Sequence, residues 1–369
     1  MEPRQSPSAV LPNDLMTEIL SLLPVKPLLR FKCLNKFFKT LISDRHFVQK
    51  HLNKSKQNSN LLISQYIYEN KQVVDLSLLT SPSTTSLFSG WRVVGSCNGL
   101  LCLVGGLKHH ASDAFYHGMV ICFWNPATRM KSEKILASSR SNLKFSFGYD
   151  LSTETYKLVA FGVELDGTNA TSVVKVFSFG DSSWRYIQQF PVFPLFRLKH
   201  DRNNGVYLSG TINWLVLTPR NGSGLKQYVI LSLDLSTETY TQLLLPWDFD
   251  KESSIRPTIA VLMDRLCFCH DFDDTHFVIW QMENFGVQES WIQLFKIGYD
   301  HISIFALMFK GLGFGSLFLS ETRNTLILAS DHDGVAFIYN CKDKRVEEIR
   351  RLDEILWYKD YVESLVSTD

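Results

Sequence analysis

The sequence predicts a small all-α segment at the N-terminus followed by a large all-β domain, a β-propeller of six blades. Three observations predict this. Apolar residues recur at helical spacing over the first fifty or so positions, and from Leu61 onward that pattern gives way to short β-rich runs between turn residues. Tight-turn signals then return at near-constant spacing through the rest of the chain. Finally, the heptapeptide DLSTETY is spelled twice, at Asp150–Tyr156 and at Asp234–Tyr240.

At 369 residues, with 45% apolar and 20% charged side chains, the chain is long enough and greasy enough to bury a sizeable core. A formal net charge of +1 argues against a general affinity for nucleic acid or membrane surfaces. The average hides one basic block: Lys26, Arg30, Lys32, Lys36, Lys39, Arg45, Lys50, Lys54 and Lys56 face the single acid Asp44 between Val25 and Lys56. Seven cysteines without framework spacing predict free thiols. MEPRQSPSAV lacks the features of a signal peptide, and no apolar run approaches the ~18 residues needed to span a bilayer. The expected location is therefore the cytoplasm, the nucleus or both.

Residues 1–10 are expected to be disordered, 11–52 to form the helical domain, 53–60 (the polar run NKSKQNSN) to be a linker, and 61–369 to form the β domain. Asn13 is the expected cap of a first helix carrying Asp14 in its first turn, with Leu15, Ile19, Leu22 and Leu23 at helical spacing and Pro24 ending it. Pro27 suits the first turn of a second helix bearing Leu28, Leu29, Phe31 and Leu34. Phe37, Phe38, Leu41 and Ile42 continue in register, and Ser43 is the expected cap of a last turn or two through Phe47 to Leu52. So short a helical segment cannot bury all its apolar surface alone, so it must pack on the rest of the chain or offer a face to a partner.

In the β region, one series of turns runs YENK, NPATR, GDSS, LSTET near Ser236, ENFG and CKDK, at roughly 49–57 residues per step. A second series interleaves: SCNG, LSTET near Ser152, SGTIN, MDR and ETRN, at roughly 55–59. The DLSTETY copies are 84 residues apart, one and a half periods, so they belong to different series and report turn chemistry rather than a copied blade. Each two-hairpin unit supplies the four antiparallel strands of a propeller blade. Five units run from Val93 to about Arg350. The hairpin around Leu61–Leu78 and the terminal YVESLVS (Tyr361–Ser367) are left to pair as a sixth, hiding the sheet edges. Seven blades or an incomplete ring fit the same spacing.

Strand parity puts both tight-turn series on one side of the domain and the longer connections on the other: Gly105–Gly118, Glu164–Ala170, Pro191–Asn204, Thr218–Gln227, Trp247–Arg256 and Gly298–Ile304. Loops on a rigid scaffold are where recognition sits, and these are rich in His, Arg, Asp and aromatics. His109, His110, Arg197, His200, Arg202 and Arg220 are the candidate target-binding residues.

The stretch LPNDLMTEILSLLPVKPLLRFKCLNKFFKTLI (Leu11–Ile42) resembles the F-box, above all its plant form, and GSCNGLLCL, WNPATR, GYDLSTETYKLV and DSSWRYI look like plant F-box-associated domains of the kelch-like class. Together the two resemblances cover nearly the whole chain. They imply a non-catalytic substrate receptor of an SCF-type (Skp–cullin–F-box) ubiquitin ligase, whose helices dock on a Skp-type adaptor while the kelch-like propeller holds a protein target. Carried over by position, the adaptor-binding set is Leu11, Pro12, Leu15, Ile19, Leu20, Leu23, Pro24, Val25, Leu28, Leu29 and Lys32. The sequence departs from the family pattern where Leu22 replaces Arg, Asn35 replaces Cys and Phe38 stands for Trp.

Other readings fit the residues less well. A glycan- or peptide-binding propeller with a vestigial F-box is the alternative. The basic block lacks aromatics arranged for base stacking, so a solvated helix face is preferred over nucleic-acid binding. CFCHDFDDTH (Cys267–His276) is the most metal-like cluster, but two thiols alternating on one strand without a second pair read as core, so no metal or cofactor is expected. His109–His110 and Asp331–Asp333 read as loop residues. GLGFG (Gly311–Gly315) lacks the strand-to-helix setting of a phosphate loop, and no catalytic triad or Cys/His pair stands out. WNPATR (Trp124–Arg129) reads as a bend set by Asn125-Pro126.

Overall fold

A computed structural model describes residues 11–56, 60–66, 71–75, 91–106, 117–139, 143–166, 169–181, 183–192, 194, 205–219, 226–247, 249, 257–273, 275–299, 314–320, 325–330, 335–351 and 355–368. Four helices come first: α1 (Asn13–Leu20), α2 (Val25–Lys32), α3 (Lys36–Ser43) and α4 (Arg45–Ser55). The helix α4 runs on to Ser55 and the first strand begins at Asn60, so the helical and β parts meet within the stretch expected to be a linker.

Every described strand falls into one of six antiparallel sheets. The first sheet begins with β1 (Asn60–Tyr66) and β2 (Lys71–Asp75). The second holds β3 (Trp91–Cys97), β4 (Leu100–Gly106), β5 (His117–Asn125) and β6 (Met130–Lys131), with β7 (Ile135–Ser139) also on β5. The third runs β8 (Lys144–Asp150), β9 (Thr155–Asp166), β10 (Asn169–Ser178), β11 (Arg185–Tyr186), and the fourth β12 (Val206–Leu208), β13 (Thr211–Pro219), β14 (Lys226–Asp234), β15 (Tyr240–Leu243). The fifth contains β16 (Thr258–Leu262), β17 (Arg265–Phe272), β18 (His276–Met282), β19 (Trp291–Gly298), and the sixth β20 (Phe314–Ser320), β21 (Thr325–Ser330), β22 (Val335–Asn340), β23 (Arg345–Arg351). The last strand, β24 (Ile355–Tyr361), returns to the first sheet beside β1, with Asn60 opposite Tyr361.

Side chains alternate between the faces of a strand, and here both faces are apolar. On β9, Leu158 and Ala160 face the second sheet, joining Leu100, Ile121, Phe123 and Phe145, whereas Val159 and Phe161 join Ile212, Trp214 and Leu231 of the fourth. Leu215 and Ile230 then meet Leu266 and Phe268 of the fifth, and Cys267 and Ile279 meet Leu326 and Leu328 of the sixth. The core is therefore a series of layers between successive sheets. Inner strands also meet in sequence: β3 packs on β8, β8 on β12 and β13, β12 on β16, β16 on β20, and β24 on both β20 and β3.

The two interleaved turn series map as the spacing predicts. SCNG, the Ser152 turn, SGTIN and MDR join first and second strands, while NPATR, GDSS, the Ser236 turn, ENFG and CKDK join third and fourth. Three expectations need correction. The chain-closing strand is Ile355–Tyr361, not YVESLVS, of which only Tyr361 belongs to it; Val362–Thr368 leaves the sheet as a strap. Because β24 takes the inner position, YENK joins the second and third strands of its sheet, outside both series; its residues 68–70 lie outside the described ones. Glu164–Ala170 is not a long loop either. Asn169 pairs with Asp166, so only Gly167 and Thr168 intervene.

Candidate protein-docking site

Each helix of the N-terminal bundle starts in its own way. Asn13 is the first residue of α1 rather than its cap: Pro12 holds the cap position with φ −55°, and Asp14 faces the positive helix end. Pro24 does the same for α2 and offers no side-chain acceptor. An acceptor comes from the far end of the chain, where Oε2 of Glu363 receives the Val25 N–H at 3.3 Å. Asn35 caps α3, its Oδ1 accepting from the Phe38 N–H at 3.0 Å. Asp44, not Ser43, caps α4, accepting from the N–H groups of His46 and Phe47. A carboxylate is the better acceptor at a positive helix end, and Ser43 is used up as the last residue of α3.

The bundle closes a small core of its own. Leu20, Leu28, Ile42 and Phe47 are buried, with Met16, Leu23, Phe31, Phe38 and Leu41 around them and Leu365 from the strap. His51 is buried beside it, Nε2 donating to the Leu23 carbonyl at 2.9 Å, and burial pushes its pKa down, so the ring is neutral near pH 7. Hydrogen bonds from Lys50 and Lys54 hold the Glu18 carboxyl down at about 2 and tie α1 to α4.

Outside this core lies a stripe left exposed among the described residues. Leu11, Leu15, Ile19 and Leu22 are 41%, 52%, 53% and 70% exposed and recur every three or four residues, on one side of α1. Leu34 and Phe37, at the α2–α3 connection, are exposed as well, as are Lys26, Arg30, Lys36 and Lys39. An amphipathic helix ordinarily turns its apolar stripe inward; α1 buries Leu20 and leaves a second stripe in water. The arrangement is suited to binding a protein groove, with basic side chains nearby to favour an acidic one.

Comparison with known proteins decides the family. The F-box domain model matches residues 10–50, and the model of the F-box associated beta propeller domain matches residues 55–368. The chain belongs to the F-box proteins with this propeller. F-box protein CPR1 of Arabidopsis thaliana is 27% identical over 319 residues, covering 78% of this chain and 73% of that protein. An Arabidopsis F-box/kelch-repeat protein is 28% identical over 312 residues, covering 78% and 79%. A third F-box protein of the same plant is 30% identical over 333 residues, covering 85% of this chain and 66% of its own length. Among solved structures, a nidogen–laminin complex aligns with a TM-score of 0.45 over 83% of this chain and 99% of that one at 9% identity, too remote to add to the family assignment.

Within the F-box, the residues singled out by sequence divide by depth. Leu11, Pro12, Leu15, Ile19 and Pro24 are exposed, Leu23, Leu29 and Lys32 half-buried, and Leu20, Val25 and Leu28 buried, where they hold the helices together. The three departures from the family pattern also acquire reasons. Leu22 extends the exposed apolar stripe, Asn35 caps α3, and Phe38 packs on Phe31 and Phe37 with ring centroids 5.5 Å away. Sequence reasoning missed Leu34 and Phe37 as exposed surface. It also missed Glu363, because a cap 338 residues away leaves no local signal.

On the propeller, His109, His110, Arg197, His200, Arg202 and Arg220 all lie outside the described residues, as do Asp331–Asp333. In Cys267–His276, Cys267 and Cys269 are buried in β17, and burial pushes the Cys267 thiol up to about 12. His270 accepts from the Trp280 indole at 3.2 Å and turns Nδ1 to the Asp271 carbonyl at 2.7 Å. These side chains belong to the core, and no group of three or more metal-ligating side chains gathers among the described residues.

Proposed function

We propose that this F-box protein is the substrate-recognition subunit of an SCF-type ubiquitin ligase, docking on a Skp-type adaptor through α1 and the α2–α3 connection. One observation carries the proposal: the bundle satisfies its own core and still exposes Leu11, Leu15, Ile19 and Leu22 in a row. Each such side chain, already partly covered, contributes roughly 1–2 kcal/mol when a partner takes the rest of it out of water. The β domain is read as a six-bladed ring joined by its terminal strands, a reading supported by the β1–β24 pairing and the succession of inner-strand contacts. The F-box is fastened to the tight-turn side, where Arg45 pairs with Glu154 in the β8–β9 turn. The longer connections, which strand order assigns to the opposite strand ends, are read as the surface that holds a protein target. The chain itself does no chemistry in this scheme. It keeps a target lysine near a charged conjugating enzyme and raises its effective concentration.

Titration of a purified Skp-type adaptor tests this. The double variant Leu15→Asp, Ile19→Asp, both at exposed positions, should fold normally and bind at least about 100-fold more weakly. Unchanged binding refutes the docking face. Leu28 is unsuitable for such a test because it is fully buried, and a charge there would break the bundle itself. If the wild-type chain binds no such adaptor, the ligase reading falls, and a propeller that binds peptide or glycan takes its place.

A further inference from the structure

The last described residues form an extended strap whose side chains alternate between the two domains. Glu363 and Leu365 turn to the helices: the carboxylate receives the first N–H of α2, and the leucine packs into the bundle core. Ser364 and Val366 turn to the propeller: Ser364 is fully buried, and Val366 packs against the layer between the second and third sheets. A period of two is what an extended backbone imposes, so a single pass can clamp two bodies at once.

The propeller is built to receive this strap. Asn125, fully buried, donates its Nδ2 hydrogens to the carbonyls of Ser364 at 3.0 Å and Val366 at 2.8 Å. Gly99 has φ +82°, and a Cβ there would lie 2.2 Å from the Ser364 hydroxyl oxygen and 2.6 Å from the Val362 carbonyl. The hydroxyl of Tyr361 accepts the Ala127 N–H at 3.0 Å. Thus the glycine of SCNG and the asparagine of WNPATR do more than make bends. They form the seat of the strap.

We propose that the strap Val362–Thr368 completes the docking module, with Glu363 and Leu365 as positioning residues that hold the F-box in one orientation on the propeller. The consequence, which rests on the ligase reading above, is that the strap sets where a bound target lies relative to the adaptor. The strap itself is testable without any partner. Nitroxide labels on Cys33 and on Leu244→Cys, both exposed positions, report the distance between the domains in the full chain, in a Cys341→Ser background. One narrow distance distribution is expected in the parent. Leu365→Ser, and a chain ending at Tyr361, should broaden it at least twofold. Glu363→Ala should broaden it as well, whereas Glu363→Gln, whose amide oxygen still accepts the Val25 N–H, should restore the parental width. Parental width in both Leu365→Ser and Glu363→Ala overturns the proposal, whether or not the truncated chain folds. Since no adaptor is present, a chain that fails to bind adaptor refutes the ligase reading and leaves the strap standing.

Discussion

The two DLSTETY segments have identical residues and identical local bonds, yet different duties. In the first, Oδ1 of Asp150 accepts from the Ser152 N–H at 2.8 Å, the Ser152 hydroxyl at 2.7 Å and the Thr153 N–H at 3.3 Å. In the second, Oδ1 of Asp234 accepts from the same positions of Ser236 and Thr237 at 2.7, 2.6 and 3.0 Å. Both Thr–Thr hydroxyl pairs are 2.8 Å apart, and both glutamates take positive φ, 54° at Glu154 and 57° at Glu238. The turn is a property of the heptapeptide. Its surroundings are not: the first copy joins β8 to β9 and the second joins β14 to β15.

Asp150 is wholly buried and pairs with Lys157 at 2.8 Å, itself only 7% exposed; Lys157 reaches on to Glu238 at 3.2 Å and the Leu235 carbonyl. Lys157, just after the first copy, is thus shared between Asp150 of the first copy and Glu238 of the second. Glu238 also pairs with Arg185, while Glu154 reaches Arg45 of the F-box from a solvent-exposed position. Burial alone would raise the Asp150 carboxyl. The Lys157 ammonium, with Ser152 and Thr153, outweighs that and holds it well below the usual carboxylate range. Burial also works against Asp234, and the donors of Ser236 and Thr237 bring it down. Identical sequence therefore buys identical geometry and leaves energetics to context.

That contrast can be broken by substitution. The largest effect is expected at Asp150: Asp150→Ala strands a buried lysine and should cost about 3–5 kcal/mol in chemical denaturation, whereas Asp234→Ala loses a turn cap worth about 1 kcal/mol. Equal losses would show that the ion pair adds nothing. Next, Glu238→Gln removes a partner from both Arg185 and Lys157 and should cost about 1–3 kcal/mol, while Glu154→Gln, at an exposed pair, should cost less than about 1 kcal/mol and lose even that in high salt. Protons sharpen the comparison further. Both aspartates have lowered folded pKa values, so their stabilisation is present above the unfolded value of about 4 and lost only as pH falls toward the folded ones. Between pH 7 and 5 the heptapeptides should be silent.

In that window acid sensitivity should come from His51 and His270, whose pKa values burial lowers. The unfolded chain binds their protons first, so stability falls as pH drops below about 6.5, by at most about 1.4 kcal/mol per pH unit for each ring. Denaturation midpoints of His270→Gln at pH 7.5 and 5.5 should lie closer together than those of the parent; an unchanged gap would remove His270 from the account. The smallest effects should be at Thr153→Ala and Thr237→Ala, each within about 0.5 kcal/mol and equal to each other, because both hydroxyl pairs are exposed. A clear difference there would mean that even the turns are not equivalent.

Much of this protein was legible in its residues. Helical spacing at Leu15, Ile19, Leu28 and Ile42 marked the bundle, and the two turn series marked first–second and third–fourth hairpins, because local backbone chemistry repeats wherever its residues repeat. Depth was not legible. Leu15 and Leu28 look alike on helical spacing, yet one is half exposed and the other fully buried, since only packing of α1 and α2 against the rest selects each inward face. The longer connections were placed correctly in order but too generously in length at Glu164–Ala170, where cross-strand pairing extends both strands.

By itself, then, the sequence determined the alternation of helix and strand, the turn geometry and the class of protein, all of which depend on contacts within a few residues or on a continuous motif. Tertiary structure decided which leucines face water, that Lys157 also meets Glu238, and that Glu363 caps a helix begun at Val25. Those outcomes turn on residues tens to hundreds of positions apart. Their pairing depends on how whole sheets and helices stack, which no local pattern encodes.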